Sequence, residues 1–214
     1  MLRDQLKSLT KRAVVRATRG RIVWHGPRDV RRVAITFDDG PGELTDEYLA
    51  CLSDLDVPAT FFVMGSYCEQ LPHMAARYLR GGHQLAGHGY YHERFTNLGA
   101  RALRDELARM AAALGPLPWG KWVRPPHGSI GPRDAAVMLA AGYTVAMWSY
   151  DSRDYDGADA ATLIERCAPA RIAPGDVLLF HEASPPTLAA LPTIVERLQA
   201  DGYELVTMAD LLAP

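Results

Sequence analysis

Short apolar runs alternate with amphipathic segments through most of the chain. Because apolar runs of roughly four to eight residues are typical of buried strands, seven strands are predicted. They cover residues 33–38, 59–64, 84–88, 122–125, 144–149, 176–181 and 203–208. The segments between them repeat apolar residues at helical spacing and predict six helices. These helices are expected near residues 45–55, 67–80, 100–114, 132–141, 159–168 and 187–201.

The strict alternation of strand and helix, with short connections, predicts a parallel sheet covered by helices. The expected fold class is therefore α/β. Seven strands suit either a barrel slightly smaller than the eight-stranded form or an open doubly wound sheet. The sequence contains no linker, repeat or low-complexity stretch that would divide these elements, so we expect them to form one domain.

The composition, with 48% hydrophobic and 22% charged residues, is that of an ordinary globular protein. No apolar stretch approaches the roughly 20 residues that a membrane span needs. The apolar run at residues 13–15 is too short for the core of a signal peptide. The three cysteines, Cys51, Cys68 and Cys167, lie far apart and match no zinc-binding spacing. We therefore expect a cytoplasmic protein with reduced thiols.

The net charge of −2 conceals a marked asymmetry, because residues 1–32 carry +8 and the remainder carries −10. Apolar residues at helical spacing predict a basic amphipathic arm over residues 1–29, ahead of the main domain at 30–214. This arm either contacts an anionic membrane surface through residues 1–21 or packs against the bottom of the domain. No nucleic-acid partner is expected, since the basic stretch lacks interleaved aromatic residues and the body is acidic.

Reactive residues cluster after the predicted strands, where parallel α/β folds place their active sites. The first strand ends in Asp38 and Asp39. Consecutive strand residues point to opposite faces, so the two acids can aim at one point only where the backbone turns. One of them could then bind a metal while the other handles protons.

Histidines follow the third predicted strand. His88 and His92 are four residues apart, so on a helical turn they would share a face and could bind one metal ion. A carboxylate from the first strand completes a set of two histidines and one acid, which leaves positions open for water and substrate. His73 and His83 lie away from the strand ends and are expected at the surface.

Three further strand ends carry candidate groups. Arg124 is followed by two prolines, which donate no backbone N–H, so the His127 amide is the first free donor and a candidate for binding an oxyanion. The fifth strand leads into a loop with several carboxylates, including Asp154, and the sixth ends at His181.

These residues carry a family resemblance. The motifs Thr-Phe-Asp-Asp-Gly, His-x-x-x-His, Arg-Pro-Pro-x-Gly, Asp-x-x-Asp-aromatic and Leu-x-His occur in this order. Over roughly residues 30–212 the chain resembles the polysaccharide deacetylases with a NodB-homology domain, carbohydrate esterase family four. The resemblance implies a distorted seven-stranded (β/α) barrel, similar to a TIM barrel. It also implies a metal-dependent hydrolase that removes N-acetyl or other small acyl groups from amino sugars.

The resemblance also implies roles for individual residues. Asp39, His88 and His92 would bind a divalent metal, with zinc as the expected ion. Asp38 would be the general base that deprotonates the attacking water, and Arg124 would pair with it.

The remaining implied roles concern the oxyanion and the leaving group. The metal and the His127 amide would hold the oxyanion. His181 would protonate the departing amine, with Asp154 orienting its imidazole.

The chain departs from the family pattern at three places. Gly89 stands where a Ser or Thr hydroxyl usually braces the loop. The small acyl pocket, with Tyr, Trp and Leu walls in the family, is matched here by His127, Tyr155 and Leu179. The acyl group therefore need not be acetyl, and formyl or another small acyl group is open. Glu182 follows the acid histidine where Asp is common.

Two alternative functions remain on the same scaffold. The first is a deformylase or amidohydrolase that acts on a lipid-linked sugar or a non-sugar amide. The second is a catalytically inactive carbohydrate-binding module. A cytoplasmic location would favour an oligosaccharide precursor, or a nucleotide- or lipid-linked amino sugar, as the acceptor.

Overall fold

A curled parallel sheet positions the functional loops. The structure, a computed structural model, describes residues 13–213. The strands are β1 (Ile22–Val23), β2 (Arg32–Gly40), β3 (Thr60–Val63), β4 (Gln84–Gly87), β5 (Trp122–Val123), β6 (Thr144–Ala146), β7 (Tyr150–Asp151), β8 (Val177–His181) and β9 (Glu204–Leu205). They follow the order β1-β6-β5-β4-β3-β2-β8-β7, and β9 pairs with the start of β2.

Helices connect most of these strands. They are α1 (Thr45–Asp54), α2 (Gly65–Gln70), α3 (Pro72–Arg80), α4 (Ala100–Leu114), α5 (Pro132–Ala140), α6 (Ala160–Arg166), α7 (Pro185–Ala200) and α8 (Met208–Leu211). Short 3-10 turns lie at Phe95–Asn97, Pro126–Gly128, Asp154–Asp156 and Pro169–Arg171. None of the helices within residues 13–213 is long and apolar enough to cross a bilayer.

All seven predicted strands are present, and the α/β class is confirmed. Strands β1 and β7, of two residues each, were not predicted. The helix predicted at 67–80 is divided into α2 and α3 at Leu71, whose φ of −126° and ψ of 62° are not helical. The following Pro72 disfavours helical backbone at the residue before it, which explains the break.

The sheet is a half-barrel, since no ladder joins β1 to β7 among the described residues. Strand β1 lies inside the stretch that the sequence analysis assigned to the arm, and Ile22 and Val23 are buried there. Residues 13–17 are helical, while the rest of the predicted amphipathic helix, including Leu2, Leu6 and Leu9, lies outside the described residues.

The alternation of side chains along β2 determines what faces the site. Val33, Ile35 and Phe37 pack into the larger apolar cluster, where the Phe37 ring lies 5.2 Å from the Phe61 ring of β3. Thr36 and Asp38 therefore face the inside of the curled sheet, where both accept hydrogen bonds from one arginine.

Candidate active site

The ends of the central strands enclose a cavity of about 450 Å³. Eight of the ten predicted site residues line it: Asp38, Asp39, His88, His92, His127, Tyr155, Leu179 and His181. The other two, Arg124 and Asp154, lie behind this lining and hydrogen-bond to Asp38 and His181. The structure therefore brings together all ten residues.

A β-bulge aims the two adjacent acids at the same cavity. The register between β2 and β3 shifts between Asp38 and Gly40, and Asp39 has a positive φ of 70°. A bulge redirects the side chain at the extra residue, so Asp39 does not alternate to the far face. The strand does not end in a turn at this point, as the sequence suggested. It continues to Gly40, and the bulge brings the two acids to one side.

Glu182 fills the space behind this bulge. It is buried, accepts hydrogen bonds from the Tyr78 hydroxyl at 2.9 Å and from Thr45, and burial raises its pKa to about 7. A Cβ at Gly40 would come within 2.0 Å of its Oε2, so a side chain there would displace the carboxylate. Glu182 and Gly40 together fix the backbone that follows Asp39.

Asp39, His88 and His92 form a candidate metal centre. The Oδ1 atom of Asp39 lies 3.5 Å from Nε2 of His88 and 3.2 Å from Nε2 of His92. Of the buried side-chain polar atoms in the described part of the chain, this Oδ1 is the one without a hydrogen-bond partner. A buried acceptor without a partner is costly, and a cation at this point would satisfy it.

His88 is held in the form that a metal requires. Its Nδ1–H donates to the carbonyl oxygen of Arg124 at 2.8 Å, which leaves the Nε2 lone pair directed at Asp39. Burial lowers the pKa of His88 to about 3, so the ring is neutral. A neutral imidazole whose other nitrogen is hydrogen-bonded is the usual protein ligand, and this donor set fits a divalent cation.

The helical turn expected for His88 and His92 is wrong. Both residues lie in the loop after β4, with positive φ angles of 76° at Gly89 and 61° at His92. These left-handed residues curl the chain back on itself, which brings the two imidazoles together with ring centroids 5.0 Å apart.

Arg124 is fully buried beneath Asp38. Its Nη1 donates to Asp38 Oδ1 at 2.6 Å and to Thr36 at 2.9 Å, and its other nitrogens donate to the carbonyls of Ala146 and Met147. Burial raises the pKa of Asp38, while the Arg124 charge opposes that change. With Oδ1 occupied by Arg124, Oδ2 faces the metal centre at 3.5 Å from His88 Nε2.

His181 stands beside Asp38, because the two residues are register partners on β8 and β2. Its Nδ1–H donates to Asp154 Oδ1 at 2.8 Å, and Oδ2 of the same carboxylate accepts from the His181 amide and from Thr187. Burial alone would lower the pKa of His181, but the hydrogen bond to Asp154 and the charge of Asp38 raise it on balance. The cavity therefore places the Asp38 carboxyl group beside an imidazole whose surroundings favour the protonated ring.

The three predicted wall residues line the cavity. His127 has a positive φ of 57°, and its ring centroid lies 4.4 Å from that of His92. The Tyr155 ring lies edge-on to His181 at 5.5 Å and its hydroxyl donates to Asp151. Leu179 is buried on β8. The walls are thus aromatic and apolar on the His181 side and imidazole on the other.

Three further lining residues, Arg94, Trp148 and Asp151, were not predicted as site residues. Trp148 lies at the end of the fifth predicted strand and Asp151 shortly after it, in β7, and their place at a strand end was the available signal. Arg94 lies two residues beyond His92 in an exposed loop, and no sequence pattern marks it.

The expectation for His83 is wrong. This side chain is buried, and its Nδ1 accepts the Ala59 amide at 3.2 Å, while its ring lies 5.3 Å from Phe61. Burial lowers its pKa to about 4. The turn that carries His83 packs against the start of β3, so it is a core residue away from the cavity. His73 is exposed, as predicted.

Comparisons with known proteins agree with this arrangement. The family model for polysaccharide deacetylase matches residues 25–146. The peptidoglycan-N-acetylglucosamine deacetylase PgdA of Listeria monocytogenes is 31% identical over 186 residues, which are 85% of this chain and 39% of that protein. A chitooligosaccharide deacetylase of Bradyrhizobium sp. is 29% identical in an alignment of 199 positions that covers 85% of this chain and 90% of the relative.

The fold of a solved relative is also similar. The structure of the Bc1960 peptidoglycan N-acetylglucosamine deacetylase superposes with a TM-score of 0.85 and 28% identity, covering 90% of this chain and 92% of the other. The chain belongs to the polysaccharide deacetylase family, whose carbohydrate esterase family four members share its half-barrel fold. It spans about 39% of the length of the Listeria relative.

Proposed function

We propose that the chain hydrolyses the N-acyl amide of amino sugars in a poly- or oligosaccharide or its precursor, with acetyl as the first expected acyl group. The observation that carries this proposal is the convergence of Asp39, His88 and His92 beside Asp38 and His181 in one cavity. Amide hydrolysis needs an electrophile, a base and an acid, and these residues can provide all three.

We propose zinc as the ion held by Asp39, His88 and His92, since two imidazoles and one carboxylate are a ligand set that zinc accepts. When bound there, the ion supplies Lewis-acid polarisation of the amide carbonyl and makes water more acidic.

Asp38 is the proposed base. Arg124 occupies its Oδ1, so the proton of the attacking water goes to Oδ2, which faces the cavity. The buried guanidinium also stabilises the carboxylate in its charged form, against the effect of burial.

His181 is the proposed acid. Its Nδ1–H is bound to Asp154, so the proton for the departing amine leaves from Nε2. The hydrogen bond to Asp154 and the charge of Asp38 raise the pKa of His181, which favours the protonated ring that an acid needs. The proton accepted by Asp38 and the proton given by His181 balance the hydrolysis of one amide bond.

The proposal also names the acyl group that is removed and the sugar that carries it. His127 and Tyr155 stand where the family pattern has Tyr and Trp, and this observation favours formyl as the second candidate. Oligosaccharides of N-acetylglucosamine are the first acceptor to test, because relatives are named for peptidoglycan and chitooligosaccharide deacetylation. Nucleotide- or lipid-linked amino sugars remain proposed acceptors.

The cytoplasmic location and the membrane contact of residues 1–21 stay predictions. Deleting residues 1–21 and measuring membrane association tests the contact.

The test is acyl release from N-acetylglucosamine oligomers, with acetate and formate measured together, before and after removal of metal and with zinc restored. Zinc-dependent acetate that is lost in Asp38→Asn, but kept in the exposed-site control Asp105→Asn, supports the proposal. Because the oligomers carry no formyl group, N-formyl substrates are assayed in parallel, and preferential formate release would favour the second candidate.

Three negative results differ in meaning. If zinc binds but neither acid is released, the acceptor is wrong, and nucleotide- and lipid-linked sugars are assayed next. If the protein binds oligomers but hydrolyses none of these acceptors, it is an inactive carbohydrate-binding module. If no metal binds, the proposed centre is wrong.

A further inference from the structure

A buried glutamate from helix α4 holds the loop between the two candidate metal-binding histidines. The Oε1 atom of Glu106 accepts the backbone N–H of Tyr90 at 2.7 Å and that of Tyr91 at 2.8 Å. Glu106 is only 7% exposed. Both amides lie in the segment between His88 and His92, so one oxygen holds the two N–H groups in the middle of that segment.

The amides of Gly65 and Ser66 donate to the carbonyl oxygens of Gly89 and Tyr90 at 2.9 and 3.1 Å, so the carbonyl side of the segment is held by the start of α2. Its N–H side depends on Glu106. Residue 89 is glycine, so no side-chain hydroxyl is present there to hold the loop, and the left-handed backbone at Gly89 and His92 forms no regular hydrogen bonds of a helix or strand. Without Glu106 Oε1, the backbone N–H groups of Tyr90 and Tyr91 would have no acceptor. Losing the acceptor of a buried backbone donor is costly, so the loop would change its conformation.

The absence of a side chain at Gly89 leaves room for the Glu106 carboxylate. A Cβ at Gly89 would lie 3.4 Å from Glu106 Oε1 and 3.2 Å from Pro126 Cγ, and the φ of 76° strains any other residue. The space beside Gly89 is therefore occupied from outside the loop by the carboxylate. In this chain the brace comes from α4 instead of from residue 89.

We propose that Glu106 is a positioning residue for the metal centre and sets the placement of His92 relative to His88. His88 has its own anchor through the Arg124 carbonyl, but no hydrogen bond of the His92 ring is found among the described residues. The position of His92 thus depends on its backbone, and Glu106 holds the backbone immediately before it. The inference rests on the proposed metal centre and is independent of the substrate.

If Glu106 only helped to pack α4, its replacement would weaken zinc binding through the stability of the helix and not through the loop. In that case any change that loosens the helix should weaken zinc binding in proportion to the lost stability. Leu103 is fully buried on the same helix but belongs to the apolar core, so Leu103→Ala loosens α4 without removing the acceptor. Asp105→Asn removes an exposed charge next to Glu106 and controls for charge alone.

The experiment measures the zinc dissociation constant of the metal-free full chain by competition with a chromophoric chelator. Replacing residues that orient metal ligands typically weakens metal binding about 10–100-fold, and we expect this for Glu106→Ala. Glu106→Gln keeps an oxygen at the same reach and should bind zinc within about threefold of wild type. Glu106→Asp keeps the charge but shortens the reach, so it should resemble Glu106→Ala.

Comparing the zinc dissociation constants of Glu106→Gln and Glu106→Asp shows whether the length of the side chain or its charge matters. This comparison remains possible even if Glu106→Ala does not fold. The proposal is overturned if Glu106→Asp binds zinc as tightly as wild type, or if Glu106→Gln is as weak as Glu106→Asp. It is also overturned if Leu103→Ala weakens zinc binding as much as Glu106→Asp at equal loss of thermal stability. Failure of wild type to bind zinc would instead overturn the proposed function, on which this inference rests.

Discussion

Replacing Asp154 by Asn tests the proposed acid most sharply. The substitution keeps the size of the side chain and removes its charge. The Asp154 side chain is fully buried and contacts His181 twice, at Nδ1 and at the backbone amide, with both distances 2.8 Å. An amide in place of this carboxylate would therefore change the proton affinity of His181 while leaving its backbone in place.

The size of the effect follows from the lost charge. Hydrogen bonds to charged groups contribute about 1.5–3 kcal/mol and neutral ones about 0.5–1.5 kcal/mol. The difference of about 1–1.5 kcal/mol corresponds to about one pKa unit. In Asp154→Asn, burial would still lower the pKa of His181, and the charge of Asp38 would be the main influence that raises it. We expect the pKa of His181 to fall by about one unit.

The assay is kcat/KM as a function of pH for the zinc-loaded protein. An acid must be protonated to act, so activity falls as the pH rises through the pKa of His181. A lower pKa in Asp154→Asn moves this alkaline limb to lower pH by about one unit. The matched control is Asp156→Asn, an exposed acid of the same turn that pairs with Arg166 and leaves His181 untouched.

An alkaline limb at the same pH in Asp154→Asn and wild type would refute this reasoning. It would mean that His181 is not the group whose deprotonation ends activity. An equal shift in Asp156→Asn would also refute it, because the effect would then come from the general charge of the loop.

Three further changes have defined outcomes. Asp39→Ala removes the buried Oδ1 that has no other partner, so we expect no zinc to be retained after dialysis, as measured by elemental analysis; retained zinc would contradict the site. Arg124→Met leaves the Asp38 carboxylate buried without its cation, so the free energy of unfolding, measured in urea, should fall by about 3–5 kcal/mol. Adding Asp38→Asn removes the unpaired charge and should restore part of the lost stability. Tyr155→Ala removes a ring that is 61% exposed, so stability should change by less than about 0.5 kcal/mol while kcat/KM for acetyl substrates falls; unchanged kcat/KM would exclude Tyr155 from the acyl wall.

The strands, and the reactive residues at their ends, were predictable because both depend on local pattern. The wall residues Tyr155 and Leu179 were identified only through the family resemblance. The run from Val33 to Phe37 is apolar except at Thr36, and Asp38 follows it at the end where parallel sheets collect their functional groups. The position of His181 at the end of its own apolar strand was predictable for the same reason.

Other features depend on backbone conformation and on distant contacts. The loop that joins His88 to His92 has two left-handed residues, so their spacing suggested a helical turn that does not form. Glu106 lies on the second turn of a regular amphipathic helix, and nothing in its neighbourhood marks it as the acceptor for a loop 15 residues earlier. His83 was wrongly placed because its burial depends on the packing of its turn against β3.

The central claim is that one zinc ion at Asp39, His88 and His92 makes the cavity an amide hydrolase. The most direct measurement is the initial rate of acetate release as zinc is titrated into metal-free protein with a fixed N-acetylglucosamine oligomer. The account predicts a rate that rises linearly and breaks at one zinc per chain, and no rise in Asp39→Ala. A rate that is independent of zinc, or the same titration curve in Asp39→Ala, would contradict it.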